Sequence, residues 1–265
     1  MKNKQRALLS CVAVLAVAVL AGLSIMITDK DDEPHNALYA EDRPTIDEVM
    51  KSTGDYVRSH KSLFAEATDS LKTVHHPDNL VAARIGEVPL TRSELEFMKG
   101  LSASVNPAKE TRHAVFNELI EEKIILNEAV RKGLLPTAEE IEIFLAGELE
   151  KSKTDPEYRE GIDKLINSWD ISEDEYWQKY ERYNAFRIIA IDKVYKDVIS
   201  KAEEAGEFPR ILDGGNTSEV MKKQDAQQSY WERYRLQLKK KTEIKVNNEF
   251  AHELKVDRDE WYLSE

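Results

Sequence analysis

The chain has 265 residues, 38 of them basic and 50 acidic, with a formal charge of -12 and a pI near 5.2. Binding nucleic acid through its phosphates needs clustered Lys and Arg, and this balance disfavours it. The single cysteine, Cys11, excludes an internal disulfide framework, so packing alone must hold the fold.

Lys2, Lys4 and Arg6 precede an apolar run from Ala7 to Ile27, and the next charges are Asp29, Lys30, Asp31, Asp32 and Glu33. At about 1.5 Å per residue such a run spans the roughly 30 Å hydrocarbon core of a bilayer. Residues 1–28 therefore read as a cytoplasmic stub and a transmembrane signal anchor that places everything after Thr28 outside. The alternative is a cleaved signal peptide with a small-residue site at Val19-Leu20-Ala21, which would leave a secreted protein. Leu8-Leu9-Ser10-Cys11 has the letters of a lipobox, but here the apolar segment follows the Cys instead of preceding it. Residues 29–43 are polar and without period, as in a linker. Without the first 28 residues the chain carries 35 basic and 50 acidic side chains, a charge of -15 that would keep it soluble and clear of an anionic surface.

Helix-start signals then recur. Thr45 to Glu48, Thr91 to Glu94, Thr137 to Glu140 and Ser172 to Glu175 have the capping-box form, and Asn106-Pro107 and Asp155-Pro156 pair a cap with proline. The first opens an N-terminal helix over 44–79, either packed on the rest or standing as a stalk. Residues 81–96, VAARIGEVPLTRSELE, alternate, turn at Gly86-Glu87, alternate again and enter a helix. Residues 113–133 carry Phe116, Leu119, Ile120 and Ile124 in one stripe, with Gly133 as the stop. Ile141, Phe144, Leu145 and Leu149 repeat the pattern, and residues 172–200 form a helix on the order of 42 Å long, enough to bridge beyond one small core. Gly206, Pro209, Gly214 and Gly215 mark 201–218 as a linker. A closing helix over 219–241 ends in Lys239-Lys240-Lys241, where cations suit the dipole. The alternating stretch 242–246 follows, and then an acidic tail over 248–265. A two-stranded ribbon is marginal in water, so Ile244 and Val246 are expected to supply a third strand to the hairpin. The fold class is all-α, mainly helical, with a small two- or three-stranded antiparallel β clasp.

That order of parts, V-A-x-x-x-G-E-x-hydrophobic-T, then T-x-x-E, then L-I-E-E-K-I-I-L-N-E-A-V-R-K-G-L, resembles the N-terminal domain of the SurA and PrsA group of extracytoplasmic chaperones. The matching positions are Val81, Ala82, Gly86, Glu87, Thr91 and Glu94, then Leu119, Ile120, Glu122, Lys123, Leu126, Ala129 and Gly133. The stretch Ile171 to Trp177 and the closing K-K-x-x-I-x-V also fit, so the likeness covers 80–200 and 219–247. It implies a SurA N-terminal, trigger-factor-like peptide-binding fold on the outer side of a bacterial, Gram-positive cell membrane. Group members with prolyl isomerase activity carry a parvulin domain of about one hundred residues where this chain has only 201–218. Arg210 to Gly215 has parvulin wording, but so short a loop encloses no pocket.

Enzyme signatures are absent from the sequence. His75-His76 lacks an H-E-x-x-H spacing or a Cys ligand, and neither G-x-S-x-G nor a glycine-rich phosphate loop occurs. Glu121-Glu122 and Glu139-Glu140 read as solvated faces of amphipathic helices. No catalytic, cofactor or metal residues are expected, and no cofactor. Function then falls to binding. Phe97, Met98 and Leu101, Tyr176, Trp177, Tyr180 and Tyr183, with Phe186 beyond them, and Trp231 and Tyr234 are candidate contacts for unfolded or exported polypeptides, although their spacing of three and four equally suits a core. The expected function is a membrane-anchored, non-catalytic chaperone. The alternative is an interaction module for one specific envelope or sporulation partner, and a peptidyl-prolyl isomerase ranks below both.

Overall fold

The computed structural model describes residues 45–70, 77–105, 111–209, 217–252 and 254–262. The expected membrane segment, its linker, His75-His76 and the Asn106-Pro107 start lie outside them. No helix among the described residues is long and apolar enough to cross a membrane.

In chain order the elements are α1 (Ile46–Ser59), α2 (Lys61–Ser70), a 3-10 turn (Asp78–Leu80), β1 (Val81–Ile85), β2 (Val88–Thr91), α3 (Arg92–Val105) and α4 (Thr111–Lys132). Next come α5 (Ala138–Thr154), α6 (Pro156–Trp169), α7 (Glu173–Glu175), a wide π turn (Tyr176–Glu181), α8 (Arg182–Glu204), α9 (Thr217–Lys241) and β3 (Ile244–Val246). The capping signals act as their chemistry requires. The Thr45, Thr137 and Ser172 hydroxyls each accept the amide of the Glu three residues on, and that Glu reaches back to the cap amide. Asp155 accepts from the amides of Glu157 and Tyr158 ahead of Pro156. Thr91 makes half a box: its hydroxyl accepts the Glu94 amide, but the Glu94 carboxylate turns inward. Gly133, at φ 66°, ends α4, and Leu134 N–H bonds the Ala129 carbonyl at 2.8 Å.

The three strands form one antiparallel sheet in the order β2-β1-β3, with Ile85 opposite both Val88 and Ile244 and Ala83 opposite both Leu90 and Val246. Gly86 turns the hairpin at φ 57°, its face against the Asn127 side chain of α4, whose Oδ1 accepts the Glu87 amide at 2.9 Å. The clasp is thus three-stranded and bolted to α4.

Three apolar clusters hold the helices. The first joins α1 and α2 to α3, α6 and the π turn through Val49, Val57, Phe64, Phe97, Leu101, Tyr158, Leu165 and Trp169. The second lies under the sheet around Phe116, Ile120 and Ile124. The third, at the far end of α4, gathers Ala190, Val194, Val198, Phe208 and Trp231. α1 and α2 are therefore packed on the body and do not stand as a stalk. α1 approaches α6 so closely that a β-carbon on Gly54 would overlap the Ser168 carbonyl. The contact is fixed by Ser168 Oγ donating to Met50 O at 2.5 Å and by Lys61 beside Asp170 at 2.6 Å. The long helix bridges as its length suggests, with the π turn and Ala185 in the first cluster and α8 from Ala190 onward in the third.

One expectation needs correction. The 201–218 linker is shorter, since α8 runs to Glu204, Phe208 is buried and α9 begins at Thr217. The acidic tail, whose role the sequence leaves open, packs on the body. Leu254 is 2% exposed, and residues 254–262 lie back across α4 and α9 as a strap.

Candidate functional site

Phe97, Met98 and Leu101 recur on one face of α3, while Tyr180 and Tyr183 are one turn apart where the π turn passes into α8. These five meet across a narrow cavity of about 40 Å³, closed by Phe64, Ala67 and Thr68 of α2, by Trp169 of α6 and by Leu119 of α4. The walls are apolar except for Glu94, Asn184 and the hydroxyls. Such a volume admits two or three waters or the methyl-bearing tip of one side chain, and not a whole aromatic ring. Trp169 meets Tyr180 edge-on at 4.9 Å and Phe64 at 5.7 Å, and its buried Nε1 has no protein acceptor.

The remaining candidate residues lie elsewhere. Tyr176 is fully buried and Trp177 nearly so, ring against ring at 5.0 Å, with Tyr176 Oη donating to Glu181 at 3.3 Å. Trp231 and Tyr234 belong to the third cluster with half-buried Phe186. Trp231 packs on Tyr195 at 5.4 Å, and Tyr234 Oη donates to Glu128 at 2.9 Å.

A buried ionic quartet borders the cavity, and sequence reading missed it. Lys123 Nζ lies 2.7 Å from Glu94 and 3.8 Å from Glu122, Arg187 lies 2.6 Å from Glu122, and Tyr183 Oη donates to Glu122 at 3.0 Å. All four charged side chains are buried. Burial pushes the Glu94 carboxyl up despite Lys123, whereas at Glu122 the Arg187 and Lys123 cations outweigh burial and hold it low. The quartet has two charges of each sign and is internally neutral, which permits its burial. Glu121 and Glu122 are consequently not solvated. From Val115 to Ala129 α4 is covered by α3, α8, α9, the sheet and the strap, so that stretch has no water-facing side, whereas His113 and Arg131 near its ends are exposed. Glu139 does face water, and Glu140 binds the Thr137 amide and Lys193. A sequence signal existed: charged residues interrupt an apolar helix at every angle, which is a pattern of all-round burial.

Two more buried polar sets were missed. Lys239 of the terminal lysine run is fully buried and donates to Glu121 and to the Glu260 carbonyl. At the end of the π turn, burial and then the nearby Glu148 push the Glu181 carboxyl up to about 7 against partial relief from Asn184, Tyr176 and Lys151. Among the described residues no group of three or more His, Cys, Asp or Glu could hold a metal ion. The quartet and the Lys239–Glu121 pair join charges of opposite sign, a geometry that holds helices far apart in sequence together.

No family model, curated protein or solved structure matches the chain.

Proposed function

We propose that the chain is a non-catalytic polypeptide-binding protein of chaperone type, tethered to the outer face of a cell membrane by its N-terminal segment. The observation that carries this is the convergence of Phe97, Met98, Leu101, Tyr180 and Tyr183, from two distant stretches, on one apolar cavity at the seam between the α1–α2 hairpin and the body. At about 40 Å³ the cavity takes a methyl tip as it stands, and a Leu or Phe of a client enters when α2 gives way. The test is light scattering of several unrelated unfolding proteins with the full chain present. Suppression of aggregation across unrelated clients, weakened by Met98→Glu at the half-buried cavity wall, supports the reading. Suppression unchanged by Met98→Glu moves binding away from this cavity, and no suppression of any client defeats it.

The single-partner reading draws on a different observation. Among the described residues the exposed large apolar side chains are Leu80, Ile143, Leu149, Ile188, Val220 and Met221, from several separate elements. A general holdase needs broader apolar surface than this, so a defined partner is the outcome if scattering is unaffected.

A further inference from the structure

We infer that the channel between α4 and α9 that holds the strap is a binding site for polypeptide segments with one turn, with the chain's own C-terminal stretch as its resident occupant. This rests on the proposal above and names a second site for it.

Part of the strap's hold is through its main chain. Asn117, fully buried on α4, presents its side-chain amide like the edge of a strand: Nδ2 donates to the Lys255 carbonyl at 3.2 Å, and Oδ1 accepts the Asp257 amide at 2.8 Å. One turn along α4, Glu121 accepts the Tyr262 amide on both oxygens at 2.8 Å, while its partner Lys239 donates to the Glu260 carbonyl at 2.5 Å. Three buried polar side chains therefore satisfy two N–H and two C=O groups of a foreign-like segment. Such bonds are indifferent to the occupant's sequence, which is how strand-like peptide recognition obtains affinity. Asn117 Nδ2 also donates to the His113 carbonyl at 3.0 Å and Lys239 also pairs with Glu121, so the strap completes polar sets that the two helices already hold in place.

Side chains of the strap anchor it as well: Val256 packs on the second apolar cluster, Asp259 lies 3.3 Å from Lys240, and the Tyr262 ring lies 5.2 Å from Lys239 Nζ. Leu254 is sunk in the second apolar cluster, and seven residues on Trp261 lies 5.0 Å over the Arg235 guanidinium and 5.9 Å from Lys239 Nζ. Arg235 also faces Trp231 at 5.5 Å, so the cation is sandwiched between a resident and an incoming ring. Arg258 adds one further bond set, to the carbonyls of Lys239 and Thr242 at the end of α9. The occupant defined by this chemistry carries an apolar residue, then an aspartate that turns the chain by accepting the amides two and three places on, as Asp257 does from Asp259 and Glu260 at 3.0 and 3.3 Å, and an aromatic residue seven places after the apolar one.

While tethered, the strap has an effective concentration near millimolar, which shuts out competitors. The test keeps every residue of the full chain and inserts a protease site between the exposed Ala251 and His252, so that cutting leaves the strap bound without its tether. A fluorescent peptide of residues 252–265 is then exchanged in and competed by unlabelled peptides. Expected is competition within about tenfold of the native sequence by an unrelated peptide keeping the two anchors and the turn aspartate, loss of competition when the aromatic becomes Ser, and weakening of native and unrelated peptides by the same factor in Asn117→Ala. Competition by the native sequence alone, no exchange at all, or an Asn117→Ala effect confined to the native peptide would each overturn the inference. Should the cut chain lose its helical circular dichroism, intact Asn117→Ala decides: tryptic cleavage at Lys255 and Arg258 should quicken at least tenfold with helicity unchanged, and unchanged cleavage overturns the site. Aggregation suppression without peptide exchange would defeat this site alone, whereas exchange without suppression would defeat the chaperone reading alone.

Discussion

Replacing Glu181 by Gln should stabilise the protein at alkaline pH and leave it unchanged in mild acid. Glu181 is 1% exposed, and its carboxyl is pushed up to about 7 from an ordinary 4.5, first by burial and then by Glu148. A raised carboxyl favours folding fully below the unfolded value, and that contribution is lost as pH climbs through the folded value. The window therefore runs from about pH 4.5 to about pH 7. At about 1.4 kcal/mol per pKa unit, ionising Glu181 costs the folded state on the order of 3 kcal/mol by pH 8. Gln keeps the shape and the oxygen that accepts from Tyr176 but carries no charge. Urea and thermal unfolding of both proteins from pH 4.5 to 8.5 should show coincident stability at the acid end and a variant advantage of about 2–3 kcal/mol at pH 8. That is roughly 4–12 °C for a protein of this size. Taking the difference between the two proteins removes every other titrating group. A variant no more stable than the parent at pH 8, or an advantage that is equally large at pH 4.5, would refute the account of Glu181 as a buried, strained carboxylate.

Lys239→Met strands the fully buried Glu121 and should cost about 3–5 kcal/mol by urea titration, and adding Glu121→Leu should recover at least half of that; no recovery would mean the pair is not the cause. Ile244→Asp places a charge on the strand that closes the sheet and should lower the midpoint of the whole helical transition, by about 2–3 kcal/mol. An unchanged thermal midpoint would show that the clasp is ornamental. Gly54→Ala drives a methyl into the Ser168 carbonyl, so α1 should lift from α6 at a cost of about 1–3 kcal/mol. Limited proteolysis should then cut between residues 60 and 77 well before the body, and protection equal to the parent would argue against the close crossing.

Local chemistry made much of the architecture readable. Thr45, Thr137, Ser172 and Asp155 announce helices through bonds made within three residues, and Gly86 and Gly133 announce turns through their own torsions. The third strand was also legible, because a lone hairpin needs a partner and Ile244-Lys245-Val246 was the alternating stretch left over. The quartet was not. Periodicity places charges outward by assumption, and only the wrapping of α4 by neighbours far away in sequence turns Glu122 and Lys123 inward. The strap was hidden for the same reason, since Asn117 meets Asp257 across 140 positions. Spacing of three and four could not separate core from cavity either. It is the position of α2 that leaves Tyr180 and Tyr183 lining space while Tyr176 is sealed.

β1 lies at the centre of the sheet, with one neighbour supplied a few residues later and the other some 160 residues later. A chain emerging from its N-terminus can form the hairpin at once, but the other edge of β1 stays open until nearly the whole sequence is available. Closure thus waits on a long, entropically slow loop, and the strap can seat only after β3 has docked. The molecule must therefore spend its own synthesis with an unpaired strand edge and an uncovered α4, exposed to the same kind of association it is proposed to manage in others.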